Sequence, residues 1–431
     1  MEPSAYGRFY LPIEVDPRKW PRFDKPVVVD LDLDGLLRRA GLNEPGLRLA
    51  RVVEVDEGGR VVDDDVPCQY DPALLEPACT GPMPGDVASH ETTSTEARSF
   101  DPAPLGGEPM TPAAERRARL VLLLKGKTPA FHRRRYRAHF NCATGAGASN
   151  IPHAGPNAAV RVWDCGVYAG QESFRVATPG ADYVYHRYGG GFASLFDPEG
   201  KDWISYRPAK ATGPDHDPNA KGAGSAHQYR GIPNTAYPEP GLHPGYRAAT
   251  TEAVRRGPIQ ATLYTRTRDG GWECAWDIYP HYATFTIYKH ARPYWFLYEG
   301  TPGGAFDPET GYVVRSTGAR TPLSEPWEEA LPDPAWVGFG DAKSPYVLYL
   351  VHHETDEHVD SYWPMNDEMT VFGFGRAGHG KALQAFMDRP CAQFTVGFAR
   401  SGTFEDLACA IDSAYRPVDV SVGPLRVEDG A

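Results

Sequence analysis

The sequence predicts an all-β protein, an N-terminal β-sandwich followed by a large antiparallel β-supersandwich with few short helices. Three observations carry that expectation. Short runs alternating apolar and polar residues recur along the whole 431-residue chain, which is the period of half-buried strands. Glycine (45) and proline (41) are both abundant, as a chain that reverses often requires. Helical periodicity is scarce. A chain of this length exceeds what one core usually organises, so two domains are expected.

The first domain is expected over residues 1–141. Arg8–Val15, Val27–Leu33, Leu47–Val55 and Arg119–Lys125 carry β-branched or alternating patterns. Asp56-Glu57-Gly58-Gly59 separates two valine-rich runs and reads as a hairpin turn. Arg133–Phe140 sets Tyr136, Ala138 and Phe140 on one face, and its RRxR run (Arg133, Arg134, Arg135, Arg137) reads as a solvated strand face. Residues 76–118 lose all periodicity and are rich in Pro, Ala, Gly, Glu and Thr, the mark of a long insertion between strands. Residues 142–158 have linker composition, and the domain boundary is placed there.

The second domain, 159–431, holds the longer strand series: Phe192–Phe196, Trp203–Arg207, Ile259–Arg268, Trp272–Tyr279, Ala283–His290, Tyr294–Glu299, Tyr346–His353, Met369–Phe374 and Cys391–Ala399. Along Trp272–Tyr279, the residues Trp272, Cys274, Trp276 and Ile278 oppose Glu273, Asp277 and Tyr279. One apolar and one polar face is what antiparallel layers produce. Thr403 with Asp406 opens a helix whose buried stripe is Phe404, Leu407, Ala408 and Ile411. A second short helix is expected at Lys381–Met387. No constant period appears, which disfavours a propeller.

Composition excludes several classes of function. A formal charge of −12 argues against a nucleic-acid partner. No apolar run approaches the roughly 20 residues of a membrane helix, so no membrane partner is expected. Met1–Asp16 lacks the basic and apolar regions of a signal peptide. The seven cysteines (68, 79, 142, 165, 274, 391, 409) make no CxxC pair and read mostly as buried thiols. A cytoplasmic location is therefore expected, unless a secretion signal was trimmed. No G-x-S-x-G, Walker loop or helix-opening G-x-G-x-x-G occurs.

Three clusters could carry chemistry. Pro208–Gly245 is a long stretch without strand pattern, and such loops are often functional. Its second half gathers His227, Arg230 and Asn234, then His243 and Tyr246, among backbone-fixing prolines. The second cluster is aromatic: Trp276, Tyr279, His281, Tyr294, Trp295, Tyr298 and then Glu299 before Gly300-Thr301-Pro302-Gly303-Gly304. Rings with polar tips suit a sugar groove, where flat pyranose faces stack and hydroxyls take hydrogen bonds. The third runs from His352 to Trp363. His352 and His353 end a strand and must point to opposite faces. No HExxH-type spacing occurs and no cofactor is expected. His353, Asp356, His358 and Asp360 nonetheless have the chemistry that divalent cations accept.

The stretch Tyr185-His186-Arg187-Tyr188-Gly189-Gly190-Gly191-Phe192 through Asp197-Pro198-Glu199-Gly200 to Trp203 resembles the opening of a galactose-mutarotase-like domain. Tyr294–Gly304 and Asp367–Arg376 resemble segments of uncharacterised bacterial two-domain proteins of that build, in which an N-terminal sandwich ends in a segment like Gly126–Phe140. The resemblance implies a supersandwich shared by aldose epimerases, glycoside hydrolase modules and many polysaccharide lyases, with ligands in its concave face.

The expected function is cleavage of an oligo- or polysaccharide, by β-elimination at a uronate ahead of hydrolysis. Elimination needs a group to neutralise the carboxylate, a base for the C5 proton and an acid for the leaving oxygen. Arg230 and Asn234 suit the first, His243 or His281 the base, and Tyr246, Tyr298 or Tyr362 the acid. Trp276, Tyr279, Trp295, His227, His353 and Tyr362 complete the substrate-binding set. Hydrolysis would pair Glu299 with Asp277, Glu273 or Asp360. A non-catalytic sugar-binding protein and an aldose epimerase are the other readings.

Overall fold

The computed structural model describes residues 7–42, 46–72, 117–142, 158–206, 230–235, 241–378 and 383–428. Within them antiparallel strands dominate, with two α-helices, Leu33–Arg39 and Phe404–Tyr415.

The N-terminal sandwich stacks two sheets. In one, Phe9–Asp16 lies beside Arg134–Cys142, which pairs with Leu47–Val55, and that strand pairs in turn with the short Val61–Asp63. The other is Arg117–Thr128 flanked by Arg22–Asp32 and Cys68–Asp71. Alternation fixes the core. Phe9, Leu11, Ile13 and Val15 point inward from the first sheet, as do Tyr136, Ala138 and Phe140, and they meet Leu120, Leu122 and Leu124 from the second. The hairpin turn at Asp56 forms as expected, with Asp56 accepting from the Arg60 N–H. The Leu33–Arg39 helix was not anticipated. Its cap is local, the Asp32 carboxylate accepting from the Gly35 N–H at 2.7 Å.

The larger body is two nine-stranded antiparallel sheets laid face to face, the expected supersandwich. The first large sheet runs Trp327–Glu329, Asp360–Met365, Met369–Phe374, Phe296–Gly300, Gly231–Asn234, Gly191–Phe196, Asp182–His186, Gln171–Ala177, Arg161–Tyr168. The second runs Ala249–Arg256, Ala261–Thr267, Glu273–Ile278, Tyr282–Lys289, Gln393–Arg400, Tyr346–His352, Trp336–Asp341, Gly311–Arg315, Arg320–Pro322. Their inner faces interlock through rings. Phe296 of the first stacks on Phe394 of the second at 4.3 Å between centroids, and Phe192 lies 4.5 Å from Trp276. The turn between Phe196 and Trp203 is held by Asp197, whose carboxylate accepts from the Glu199 and Lys201 N–H groups and from Trp203 Nε1.

The helix Phe404–Tyr415 opens on the expected capping box of Thr403 and Asp406. It lays Leu407, Ile411 and Ala414 on the outer face of the second large sheet, against Trp336, Val347, Tyr349 and Val351. The chain then returns to the N-terminal sandwich. Asp419–Val422 pairs with Ile13–Asp16 along its free edge, and Arg426–Val427 pairs with Phe9–Tyr10. Arg22, fully buried, clamps this return by donating to the carbonyls of Asp412, Arg416 and Pro417 at 2.8–2.9 Å. Gln69 Oε1 joins the bodies on the other side, accepting from the Ile259 and Gln260 N–H groups.

Three expectations need correction. No helix forms over the described part of Lys381–Met387. Gln384–Ala385 is a strand and Met387 bridges to Tyr294, because so short a run cannot offset the cost of helix nucleation. Pro208–Gly245 is not strandless, since Gly231–Asn234 fills the gap between Gly191–Phe196 and Phe296–Gly300. Pro233 hides that strand from a pattern reading because it cannot donate to a ladder. Trp203 stands in a turn rather than a strand, with a single bridge at Asp202. The expected insertion lies, over residues 76–116, outside the described residues.

Candidate functional site

Glu299 stands near the middle of the first large sheet, on Phe296–Gly300. Phe296 and Tyr298 point into the core, so Trp295, Leu297 and Glu299 share the outer face. Register then selects the neighbours. Glu299 lies opposite Val371, which lies opposite Trp363, and on the other side it faces Gly231. Trp363 is thus on the same face two strands away, about 10 Å at ordinary strand spacing.

His243 reaches Glu299 from a separate segment, Leu242–Tyr246, pressed onto the sheet. Glycines make that contact feasible. A Cβ on Gly231 would meet Pro244 Cγ at 2.1 Å, one on Gly191 would meet Pro244 Cδ at 2.7 Å, and one on Gly189 would meet the His243 carbonyl at 2.4 Å. Hydrogen bonds fix the segment in place. Gln171 Nε2 donates to the Pro244 and Tyr246 carbonyls at 2.8 and 2.9 Å, and the His243 N–H donates to the Gly189 carbonyl at 2.9 Å. His186 Nδ1 lies 2.6 Å from the Pro244 carbonyl, and its burial pushes its pKa down to about 4, keeping the ring neutral at ordinary pH.

The resulting geometry is specific. One carboxylate oxygen, Glu299 Oε2, lies 3.0 Å from His243 Nε2 and 3.2 Å from Asn234 Nδ2. His243 Nδ1 accepts from the Gly245 N–H at 3.0 Å, so a neutral ring carries its proton on Nε2 and donates to Glu299. The Tyr246 ring packs against His243 at 5.4 Å. Arg376 lies across Gly373, donating to Ser361 Oγ at 3.1 Å, with its guanidinium 5.7 Å from the Trp295 ring. Burial lowers its pKa, while the Glu299 and Glu328 charges raise it. Three buried polar atoms on these residues, Asn234 Oδ1, Arg376 Nε and Trp295 Nε1, have no hydrogen-bond partner among the described residues. Such atoms are costly to leave unpaired in a purely structural cluster. With Oε2 occupied twice, Oε1 is the atom of Glu299 suited to take a proton.

The sequence-predicted residues thus divide. His243, Tyr246, Asn234, Trp295 and Glu299 come together, Arg376 joins them, and Trp363 shares their face of the sheet. Arg376 was not among the residues expected at the site. The available signal was an arginine set among glycines directly after a buried apolar strand. Others belong to the core. Tyr298 is fully buried and donates to the Trp203 carbonyl at 2.6 Å, Tyr362 is fully buried and donates to the Leu323 carbonyl, and Trp276 is buried between the sheets. Arg230 is 4% exposed and donates to the Ser205 and Glu368 carbonyls. Tyr279, His281 and His353 lie with the second large sheet. His281 faces Asp24 of the N-terminal sandwich at 3.9 Å, and His353 Nε2 lies 2.7 Å from Thr395 Oγ1. His227 lies outside the described residues.

The four residues considered for a cation do not converge. His353 faces Thr395, His358 stacks on Phe386, Asp356 turns to His352, and Asp360 accepts from the Gly375 and Leu331 N–H groups. Among the described residues no group of three or more His, Cys, Asp or Glu is placed to hold a metal ion. The carboxylates considered as hydrolytic partners for Glu299 are also elsewhere. Asp277 and Glu273 stand on the second large sheet, held by Thr262 and Tyr264, and Asp360 is buried, accepting from the Gly375 and Leu331 N–H groups of other segments.

No family model matches the chain, and no curated protein matches its sequence. Among solved structures the chain is similar to an alpha-mannosidase from Enterococcus faecalis V583, with 11% identity and a TM-score of 0.45, covering 97% of this chain and 47% of that one. It thus spans about half the length of the mannosidase. Two shorter proteins match over part of the chain. HI1317 has 10% identity and a TM-score of 0.36, covering 54% of this chain and 94% of that one. A proposed mutarotase, YeaD from Salmonella typhimurium, has 10% identity and a TM-score of 0.34, covering 55% of this chain and 92% of that one.

Proposed function

We propose that the chain is a carbohydrate-active enzyme that removes a proton from a sugar, and that its reaction is β-elimination at a uronate within an oligo- or polysaccharide. The observation that supports this reading is the Glu299 carboxylate held on one oxygen by His243 and Asn234, with Arg376 beside it. Glu299 Oε1 is the base that takes the C5 proton, and His243 orients it, a reversal of the histidine-base expectation. Arg376 neutralises the uronate carboxylate, whose charge otherwise opposes proton loss at the adjacent carbon. Tyr246 is the acid for the leaving oxygen, and Trp363 offers a face on which a neighbouring pyranose stacks. Two-carboxylate hydrolysis has less support, because the candidate partners of Glu299 are on other surfaces. The disulfide-bonded Cys391 supports an oxidising compartment rather than the cytoplasm.

The test is an array of uronate-containing and neutral polysaccharides, read by ultraviolet absorbance and by reducing-end release. Elimination gives an unsaturated, absorbing product from uronate substrates. Reducing ends without absorbance would show hydrolysis. Accelerated anomer exchange with no cleavage would show an epimerase.

A further inference from the structure

A separate group of polar side chains faces a cavity on the far side of the molecule. It lies where the outer face of the second large sheet meets strand Arg22–Asp32 and the end of helix Phe404–Tyr415, and its volume is about 540 Å³. Small-molecule sites are typically of this size.

Sheet register builds its floor. Asp277 lies opposite Thr284 and Thr284 opposite Thr395, with Gln393 opposite Thr286 in the next row. Asp277 Oδ1 accepts from Gln260 and Thr262, and Oδ2 has no partner among the described residues. The walls are tyrosines. Tyr415 is 8% exposed, and its hydroxyl is buried with no hydrogen-bond partner among the described residues. Lys25, 7% exposed, donates to the Tyr282 hydroxyl at 3.1 Å and to the Ala414 carbonyl. Once protonated it has three donors, so one remains for a ligand in the cavity. No carboxylate among the described residues forms an ion pair with Lys25, and burial with the nearby Arg22 charge pushes its pKa well below that of a free lysine, so the amine takes up its proton as a carboxylate binds beside it. Arg416 adds a second positive group, its guanidinium 4.6 Å from the Tyr415 ring.

We propose that this cavity binds a small acidic sugar, its carboxylate on Lys25 and its hydroxyls on Asp277, Gln393 and Tyr415. The mixture of groups selects that chemistry. A carboxylate supplies the counter-charge that Lys25 lacks, and a polyol supplies the donors that Asp277 Oδ2 accepts. A phosphate would set its double charge against Asp277. The site stands on the opposite sheet from Glu299 and does not depend on the reaction proposed there.

Calorimetric titration of the full chain with glucuronate, galacturonate and glucose tests it. The acids should saturate a site that glucose does not fill and that Glu299→Gln leaves intact. Lys25→Met should weaken that site about tenfold or more, the usual consequence of losing a charged hydrogen bond. Lys25 also holds the helix end, so Tyr415→Phe, which removes only a partnerless hydroxyl, gives an independent reading. It should weaken binding at least about threefold. Absence of saturable acid binding, equal binding of glucose, wild-type affinity in Tyr415→Phe, or loss of all binding in Glu299→Gln would each overturn the proposal. The last outcome would place the ligand at Glu299, whose own reading is judged by turnover.

Discussion

Fifty-six positions separate His243 from Glu299, yet their side chains meet at 3.0 Å. Glu299→Gln keeps the size and the hydrogen-bonding outline while removing the base. Turnover on the uronate substrate should fall about 100-fold or more, with an unchanged melting temperature as the control for folding. Asn234→Ala should cost less, about tenfold, because His243 still holds the carboxylate. The residue scale is also where sequence reading failed most. Tyr298 and Tyr362 have the chemistry of an acid, but one step of alternation turns each inward, and both hydroxyls are already bound to carbonyls. Type was legible; direction was not. Asp360 shows what such burial does to an ionisable group. Burial pushes its carboxyl up to about 7, against the backbone N–H groups of Gly375 and Leu331. The native state therefore keeps a proton that the unfolded chain releases. Stability from this group is full below about pH 4 and lost as the pH rises through about 7. Asp360→Asn removes that slope, so urea titrations should show the variant gaining on the wild type between about pH 4 and pH 8.

At the scale of elements, alternation made the strands readable. Phe9, Leu11, Ile13 and Val15 face inward as their pattern required, and Cys274, Trp276 and Ile278 do the same. Gly231–Asn234 escaped because Ile232 and Pro233 are too short a run to show a period, and its place in the sheet is set by the strands on either side. The segment Leu242–Tyr246 is likewise positioned by distant partners: Gly189, Gly191, Gly231 and Gln171. Gly231→Ala should therefore act at a distance. Its Cβ would displace Pro244 and carry His243 from Glu299, so turnover should fall about tenfold or more while stability drops about 1–3 kcal/mol, the range of overpacking. Paired kinetics and denaturant titrations would separate the two effects. If the loss of activity merely followed the unfolded fraction, the segment would have no positioning role.

Across the whole molecule, the all-β build was legible from the alternating runs, while the joints between its sheets were not. Nothing in the sequence singled out Arg22. In the structure it is fully buried and ties together the carbonyls that end the Phe404–Tyr415 helix. Arg22→Met would strand those acceptors, and a loss of about 3 kcal/mol or more is expected in urea unfolding. The return of Asp419–Val422 to Ile13–Asp16 has a further consequence for biosynthesis. A ribosome delivers the first of these strands long before the last. Throughout that interval the nascent sandwich presents an unzipped border of amide and carbonyl groups, which any passing extended peptide could copy. Holding that border apart until translation reaches Val422 is a task for a chaperone, and stalled chains ending before Asp419 should cling to one while longer chains let go.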